Sequence, residues 1–502
     1  ESGGQIVDTG HYPRVVEHQY LEITLSCVLM TVEGAKSAVI PGTVTPVTNW
    51  KGRSVTVFGL GRSGESAANL LIALGAKVTI VEERITEEIQ QAQDRFLRHG
   101  VEVLLGNLVE RGCRNAELVV VSPGVPKEHP VVRSLNDREI PVIAEIELAS
   151  WFLQAPIIAV TGTNGKSTTV RLIGAVLQQS RKPVFVGGNL GTPLCEAVTR
   201  PGEDSGQSEY EWIVAEVSSF QLEGIQRFHP RIAALLNVSP DHLDRHPTRE
   251  DYVRAKQRIF ENQTSEDIAF INWDDPVVCS MATQVPSQRY AFSLKGPVEQ
   301  GVYLEGTTIR ARMKGTDMAI MERDQVSLRG DHNIANAMVA IGVGLLCDCS
   351  VPDIVEGLAQ APAFEHALEP VREWQGIRFI NDSKGTNVDA TLKAIQSFHE
   401  PLILILGGKD KGGDFSLLAE SIARGVKRLV VIGEATAKIQ GSLGHVKPLT
   451  IAATLAEAVE QAAGAASIGD VVLFSPACAS FDMFRNYHHR GLEFKRIVGE
   501  LR

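Results

Sequence analysis

A lysine and a serine placed directly after a glycine turn are the residues in this 502-residue sequence that most clearly specify a reaction partner. The run Thr161-Gly162-Thr163-Asn164-Gly165-Lys166-Ser167-Thr168-Thr169 follows an apolar stretch, 156–160, and precedes an apolar-periodic one, 170–179. A strand that breaks into a Gly-rich turn and then a helix brings backbone N–H groups and the positive helix end onto anionic oxygens. Lys166 is then placed to neutralise the outer phosphates of a nucleotide, and Ser167 to hold Mg²⁺. The usual phosphate-loop pattern has glycine five residues before Gly165; that position here is Val160, so the loop is a variant. A mere tight connection between strand and helix would leave Gly165-Lys166-Ser167 without a reason.

Further candidates stand just past apolar runs. The run 212–215 delivers Glu216, where a phosphate-loop protein carries a Mg²⁺-binding carboxylate, although a strand can also end in an acidic residue incidentally. The run 232–236 leads into Asn237-Val238-Ser239-Pro240-Asp241-His242-Leu243-Asp244-Arg245-His246. His242 therefore falls at the carboxyl edge of the same sheet as Lys166 and Glu216. Lys256, in a helix expected over 252–261, reads from its spacing alone as part of a solvated face.

The elements that must position these groups follow a repeating strand–turn–helix pattern. Residues 55–58 form a strand, Gly59-Leu60-Gly61-Arg62-Ser63-Gly64 a turn, 65–74 a helix, and 78–81 a second strand ending in Glu82-Glu83-Arg84. Read alone, this is a dinucleotide fingerprint that says NAD: glycines for close pyrophosphate approach, and an acidic residue about 20 positions on for a ribose hydroxyl. The fingerprint selects a pyrophosphate and not a nicotinamide, so any nucleotide diphosphate satisfies it. A third strand, 118–121, ends in Ser122-Pro123-Gly124-Val125.

The central part continues with strand 184–186 and Gly187-Gly188-Asn189-Leu190-Gly191, then a polar surface loop, 201–209. Antiparallel strands are expected over 303–328, and Asp331 is a candidate N-cap for an Ala-rich helix carrying Asn333 and Asn336. The composition shifts over 362–370, after which strands 377–380, 402–406, 429–432 and 471–474 each end in a turn of small residues. That is the layout of a doubly wound α/β sheet with ligands at its carboxyl edge.

Composition excludes several classes. A formal charge of −11 with no long basic run argues against nucleic acid and anionic membranes. Apolar content of 44% and charged content of 22% are ordinary for a soluble globular protein, and the length suggests about three domains. Seven scattered cysteines without metal-ligand spacing fit a reducing, cytoplasmic setting. The longest apolar runs are strand-length, far below the roughly 20 residues of a membrane span. Residues 1–46 lack the basic region and cleavage site of a signal peptide and are expected to be a poorly ordered extension, with Met30 a candidate start.

Taken together, 161–168, 216–222, 241–245, 381–387 and 475–484 with Asn486, Arg490, Gly491, Glu493 and Phe494 resemble the Mur ligase family, over about 47–502. The last of these and the first glycine loop resemble the members that add D-glutamate to UDP-N-acetylmuramoyl-L-alanine. The resemblance implies three domains: 47–154, Rossmann-like and binding the UDP substrate; 155–363, a P-loop domain with a mostly parallel sheet, binding ATP; and 364–502, Rossmann-like and binding the amino acid. It implies a monomer with small-molecule partners only, using ATP and Mg²⁺ at two sites, in cytoplasmic peptidoglycan synthesis.

Carried over by position, Gly162 to Thr169 hold ATP, with Asn333, Asn336, Asp382 and Lys384 near the nucleotide. Lys166, Glu216, His242 and Lys256 are the expected catalytic residues. Ser167 and Glu216 would hold one metal and His242 a second, with Lys256 carbamylated, since only the carbamate offers an anionic oxygen. Gly61, Arg62, Ser63, Glu82, Arg84, Ser122 and Gly124 would take the UDP part of the substrate, and Asn189 and Ser218 its muramoyl part. Thr386, Lys411, Ser480 and Tyr487 match the D-glutamate positions. The family usually has Arg after the His that matches His366, and this chain has Ala367; Arg372 and Arg378 are the neighbours in sequence that could replace that contact. Other readings compete: a Mur-like ligase of another amino acid, a Mur-like binding protein without catalysis, resting on Ala367, and an NAD-dependent dehydrogenase, resting on 59–64.

Overall fold

The computed structural model describes residues 49–189, 191–199, 208–242, 245–328, 330–362 and 364–502. The extension 1–46, Leu190, residues 201–207 of the polar loop, and Leu243-Asp244 lie outside the described residues.

Strands β1 (Ser54–Phe58), β2 (Lys77–Glu82), β3 (Glu102–Leu105), β4 (Leu118–Val121) and β5 (Val142–Ala144) form a parallel sheet in the order β3-β2-β1-β4-β5. A second sheet takes β6 (Ile157–Thr161), β7 (Val184–Gly188), β8 (Trp212–Glu216), β9 (Ile232–Leu235), β10 (Ile268–Asn272), β11 (Gln288–Ser293), β12 (Gly301–Glu305), β13 (Thr308–Met313) and β14 (Thr316–Glu322). Its order is β14-β13-β12-β11-β10-β9-β6-β8-β7; β12 to β14 pair antiparallel, as the alternating pattern over 303–328 predicts, and the rest are parallel. The third sheet contains β15 (Glu369–Trp374), β16 (Ile377–Asn381), β17 (Leu402–Gly407), β18 (Val426–Ile432), β19 (Leu449–Ile451) and β20 (Val471–Phe474), in the order β15-β16-β20-β17-β18-β19. Only β15 runs antiparallel there.

Burial on both faces explains the continuous apolar runs. Along β17, Leu402, Leu404 and Leu406 enter one core while Ile403 and Ile405 enter the other, the period of two expected of a strand between two layers. The first two sheets share a core: Ile146, Leu148 and Ala149, on the helix Glu145–Ser150 between them, join side chains of both. Glu147, fully buried on that helix, accepts from the backbone N–H groups of Gln226, Arg227 and Phe228 and from Trp151 Nε1 at 2.7 to 3.0 Å. Among the described residues, no apolar cluster joins the third sheet to the other two.

Several expectations are corrected. Strand 118–121 is fourth in its domain, because the short β3 precedes it. The helices begin earlier than periodicity indicates, at Arg62, Lys166 and Arg249, since their first turns are polar. Asp331 is not an N-cap: it is the first residue of the helix Asp331–Leu346, capped by Gly330, and it pairs with Arg323. No helix among the described residues is long and apolar enough to cross a membrane.

Candidate active site

Because β6 lies between β8 and β9, their carboxyl ends converge: Val160 pairs with Glu216 and Thr161 with Leu235. The loop after β6 turns on Gly165 at φ +88, where a Cβ would meet Asn336 Oδ1 at 2.5 Å, so glycine is required twice over. No side chain caps the helix Lys166–Gln179 that follows, which leaves its first N–H groups facing the cavity without a side-chain acceptor. Asn237 braces the loop. Its Oδ1 accepts from Asn164 N–H at 2.9 Å, its Nδ2 donates to Asn164 O at 3.0 Å, and its backbone O accepts from Thr163 N–H at 2.9 Å. Asn237 is not among the residues the sequence singles out, although an amide two residues past the end of β9 is a signal for such a brace.

Lys166 Nζ donates to the carbonyls of Gly162 at 2.9 Å and Thr163 at 2.8 Å. Lys256, only 1% exposed, donates to the same Gly162 oxygen at 2.8 Å and lies 4.6 Å from the Tyr252 ring. It is therefore not on a solvated face. Burial, and secondarily the Lys166 ammonium, hold its amine well below the ordinary lysine range.

Glu216 is buried and accepts from Asn189 Nδ2 at 3.0 Å. His242 adopts φ +56 and meets the Phe220 ring edge-on at 5.0 Å. Beside it, Asp241 accepts from Lys411 Nζ at 2.6 Å and from Asn387 Nδ2 at 2.9 Å, both from the third sheet's loops. Burial raises the Asp241 carboxyl, but the Lys411 and His242 charges and these hydrogen bonds outweigh it and hold it below the usual range.

These groups border a cavity of about 730 Å³ lined by Thr163 to Thr168, Asn189, Glu216, Asp241, His242, Asn333, Asn336, Asp382, Lys384, Thr386 and Tyr487. Asn336 Nδ2 donates to Asn333 Oδ1 at 3.2 Å, and Thr169 Oγ1 donates to Asn336 Oδ1 at 3.1 Å from behind the loop. Burial pushes Asp382 up to about 7 against the Ser475 hydroxyl it accepts from at 2.6 Å, and pushes Lys384 down to about 8. The Phe364 ring lies between two cations, Lys384 Nζ at 4.1 Å and Arg171 Cζ at 4.0 Å. Ser218 caps the helix Ser219–Glu223, donating to Gln221 Oε1 and accepting from Gln221 N–H. Ser480 is buried and is not among the residues lining the cavity.

Ala367 lines the same cavity, and neither proposed replacement reaches it. Arg372 donates to the carbonyls of Val498, Gly499 and Leu501, and Arg378 to Glu400 at 2.6 Å.

A second cavity, of about 400 Å³, lies where the strand order reverses between β1 and β4, the place a doubly wound sheet binds ligands. Gly61, Arg62, Ser63, Glu82, Arg84, Ser122 and Gly124 all line it. A Cβ on Gly64 would lie 1.8 Å from Gly59 O, which explains the third glycine of the fingerprint. Glu82 is 4% exposed and turned inward, accepting from Leu60 N–H at 3.0 Å and from the Arg84 backbone and guanidinium at 2.9 to 3.2 Å.

One more cluster stands apart: ligand atoms of Glu365, His366 and His488 lie within 4.8 Å of one another. Asn381 Oδ1 accepts from Ser383 N–H, which turns its Nδ2 toward His366 Nδ1 at 2.8 Å. His366 Nε2 therefore carries the hydrogen, and Lys495 occupies Glu365 at 3.0 Å, so the set is not arranged to ligate a cation.

The arrangement combines a glycine-turned helix end without a side-chain cap, a buried carboxylate and an imidazole at its rim, a second cavity at the strand-order reversal, and lysines from the third sheet's loops. Family models match in three consecutive pieces, the Mur ligase MurD-like N-terminal domain over 53–144, the Mur ligase middle domain over 160–344 and the Mur ligase glutamate ligase domain over 368–478. The chain is 42% identical over 451 residues to the UDP-N-acetylmuramoylalanine–D-glutamate ligase of Koribacter versatilis (strain Ellin345), covering 90% of this chain and 98% of that one. To the ligase of the same name from Thermoanaerobacter sp. (strain X514) it is 39% identical, covering 90% and 99%. Among solved structures, MurF from Acinetobacter baumannii superposes with a TM-score of 0.56 at 16% identity, covering 89% of this chain and 92% of that one. The UDP-N-acetylmuramate-alanine ligase MurC from Thermotoga maritima does so with a TM-score of 0.54 at 18% identity, covering 89% and 99%. With relatives of this identity along nearly their whole length and matched models over all three sheets, the chain belongs to the Mur ligase family.

Proposed function

We infer that the chain is an ATP-dependent ligase that joins D-glutamate to UDP-N-acetylmuramoyl-L-alanine in peptidoglycan synthesis. The observation that carries this is the near-complete coverage, 98% and 99%, of D-glutamate ligases by this chain at about 40% identity. The dehydrogenase reading leaves the phosphate cradle and Glu216 without a role. The non-catalytic reading leaves unexplained the phosphate and metal groups gathered at one sheet edge.

The donor set fits ATP and Mg²⁺. The helix end offers uncapped N–H groups, Ser167 a hydroxyl, Glu216 a buried carboxylate and His242 an imidazole. Bound Mg²⁺ would supply charge neutralisation between phosphoryl oxygens and polarise the group being transferred. Lys166 leaves its loop carbonyls to meet the γ-phosphoryl oxygens and stabilises negative charge there as a substrate carboxylate oxygen attacks the γ-phosphorus, the bond to the β,γ-bridging oxygen breaks and ADP leaves, giving an acyl phosphate. Asn336, Asn333, Asp382 and Lys384 border the nucleotide. Asn189 orients Glu216 and faces the muramoyl part; Ser218, its hydrogen committed to Gln221, can only accept there. The second cavity takes the UDP end.

Lys411 spends one of its three N–H donors on Asp241 and would turn the others to the acceptor's carboxylates, with Thr386 and Tyr487 in the cavity lining the further candidates for that substrate. The D-glutamate amine then attacks the acyl carbon and phosphate leaves. Lys256, whose amine burial and then the Lys166 ammonium hold well below the ordinary lysine range, would lose a proton on reaction with CO₂, and the resulting carbamate would add an anionic oxygen beside the Gly162 carbonyl.

Phosphate release from ATP in the presence of UDP-N-acetylmuramoyl-L-alanine is expected with D-glutamate and not with L-glutamate, L-lysine or no amino acid. Release driven equally by another amino acid would overturn the acceptor assignment, and no release with any of them would overturn the reaction.

Ala367 leaves a gap in the nucleotide wall, since Arg372 and Arg378 are committed elsewhere. A charge-assisted hydrogen bond contributes about 1.5–3 kcal/mol. Ala367→Arg should therefore lower the KM for ATP by roughly tenfold or more with little change in kcat, the pattern of uniform binding. An unchanged KM would mean that another cation lining the cavity already makes the contact.

A further inference from the structure

The third sheet reaches the phosphate loop through two side chains that the chemistry above does not use. Asn387, the N-cap of the helix Val388–Gln396, donates from Nδ2 to Asn164 Oδ1 at 3.1 Å and to Asp241 Oδ2 at 2.9 Å. Two residues later, Asp389 Oδ2 accepts from Asn164 Nδ2 at 2.6 Å, from Ser239 Oγ at 3.3 Å and from Lys393 Nζ at 2.7 Å. We propose that Asp389 is a positioning residue that ties the seat of the third sheet to the conformation of the phosphate loop.

Asn164 is the middle residue of that loop, and it is held from two directions. Its backbone belongs to the central sheet, clamped by Asn237, while its side-chain amide belongs to the third sheet through Asp389 and Asn387. A carboxylate accepting from an amide N–H is the stronger kind of hydrogen bond, and the short 2.6 Å contact fits that. Lys393, one turn along the same helix, fixes the carboxylate's orientation toward the loop.

The contact matters because of what the rest of the boundary lacks. No apolar cluster among the described residues crosses between the third sheet and the others, so polar pairs such as this one and Lys411–Asp241 determine how that sheet sits. Phosphoryl transfer at the loop and amine delivery from the third sheet must occur in one geometry. Asp389 places both on one hydrogen bond.

The inference rests on the phosphate loop holding ATP. It is tested by a double-mutant cycle on the full-length enzyme with Asp389→Ala, Asn164→Ala and the pair, turnover being measured with whichever amino acid supports phosphate release. A wrong acceptor assignment therefore leaves this test intact, and absent turnover in the wild type is a failure of the functional reading alone. Asp389→Ala should lower kcat about tenfold, the loss expected for a hydrogen bond to a charged group, while the KM for ATP changes less than about threefold. The double variant should be no slower than the slower single one, because both changes remove the same contact. Asp389→Asn, which keeps an oxygen acceptor, should recover most of kcat. Multiplicative losses in the double variant, an unaltered kcat in Asp389→Ala, or a loss that simply follows a fall in Tm across the three variants would each overturn the proposal.

Discussion

Lys166→Ala should lower ATP turnover by about a hundred- to a thousandfold, the loss typical of removing one preorganised charge from a developing anion, while Tm stays close to that of the wild type. The two halves of that expectation have separate physical origins. In turnover, on the proposed reading, the ammonium is the cation the loop itself presents to the γ-phosphoryl group; Lys384, on the third sheet's side of the cavity against the Phe364 ring, and Lys256, on the Gly162 carbonyl, belong to other elements. In stability, burial holds the folded pKa of Lys166 below its ordinary value. A lysine whose folded pKa is depressed binds its proton more weakly when folded, so its charge costs folding free energy at neutral pH. Removing it relieves that cost and offsets the two hydrogen bonds lost to Gly162 and Thr163, of which the Gly162 oxygen keeps Lys256 as a donor. Phosphate release and thermal unfolding, run on the same preparation, check both halves. Near-normal release would remove the loop from the chemistry.

Lys256→Ala is expected to be inactive to a similar degree, and partly restored by millimolar acetate or formate. The side chain is buried behind the loop, its pKa depressed first by burial and then by Lys166, and it donates to Gly162. As a bare ammonium it would repel a metal at His242; as a carbamate it would bind one. On the proposed reading, truncation to alanine removes the carbamate oxygen and opens the space in which a small carboxylate can supply an oxygen in its place. Chloride at equal ionic strength is the control, because it screens charge without offering that oxygen. Full activity without any added anion would leave Lys256 only its contact with Gly162. Loss that acetate and formate do not restore would count against the carbamate.

Much of the site was legible because its parts are local. A buried parallel strand must be apolar along its length, and its carboxyl end must turn tightly, so 156–160, 212–215 and 232–236 each announce both a strand and the place where chemistry can stand. Lys166, Ser167, Glu216 and His242 stand where that logic puts them and line one cavity, and Gly61, Arg62, Ser63, Glu82, Arg84, Ser122 and Gly124, at the carboxyl ends of β1, β2 and β4, line another. The short strands β3, β5 and β19 were not legible, since their partly exposed positions break the continuous apolar run that marks the equally short β4, β9 and β20.

Lys256 shows where local reading ends. Its helix, Arg249–Gln257, is polar nearly all round, so the sequence carries no apolar stripe to say which face turns inward; packing against Tyr252 and the phosphate loop decides it. The same holds for contacts made by chain closure. Lys411 meets Asp241 across 170 residues and Asp389 meets Asn164 across 225, while Arg372 and Arg378, near Ala367 in sequence, point to the last helix and to Glu400. The sequence by itself determined the three αβ units, their glycine-rich turns and the groups at their strand ends, because hydrophobic period and glycine turns act over a few residues. Which side chains of the third unit meet the phosphate loop, and which lysine is buried beneath it, only the tertiary structure decided, because those choices depend on how separately folded sheets are seated and leave no periodic trace along the chain.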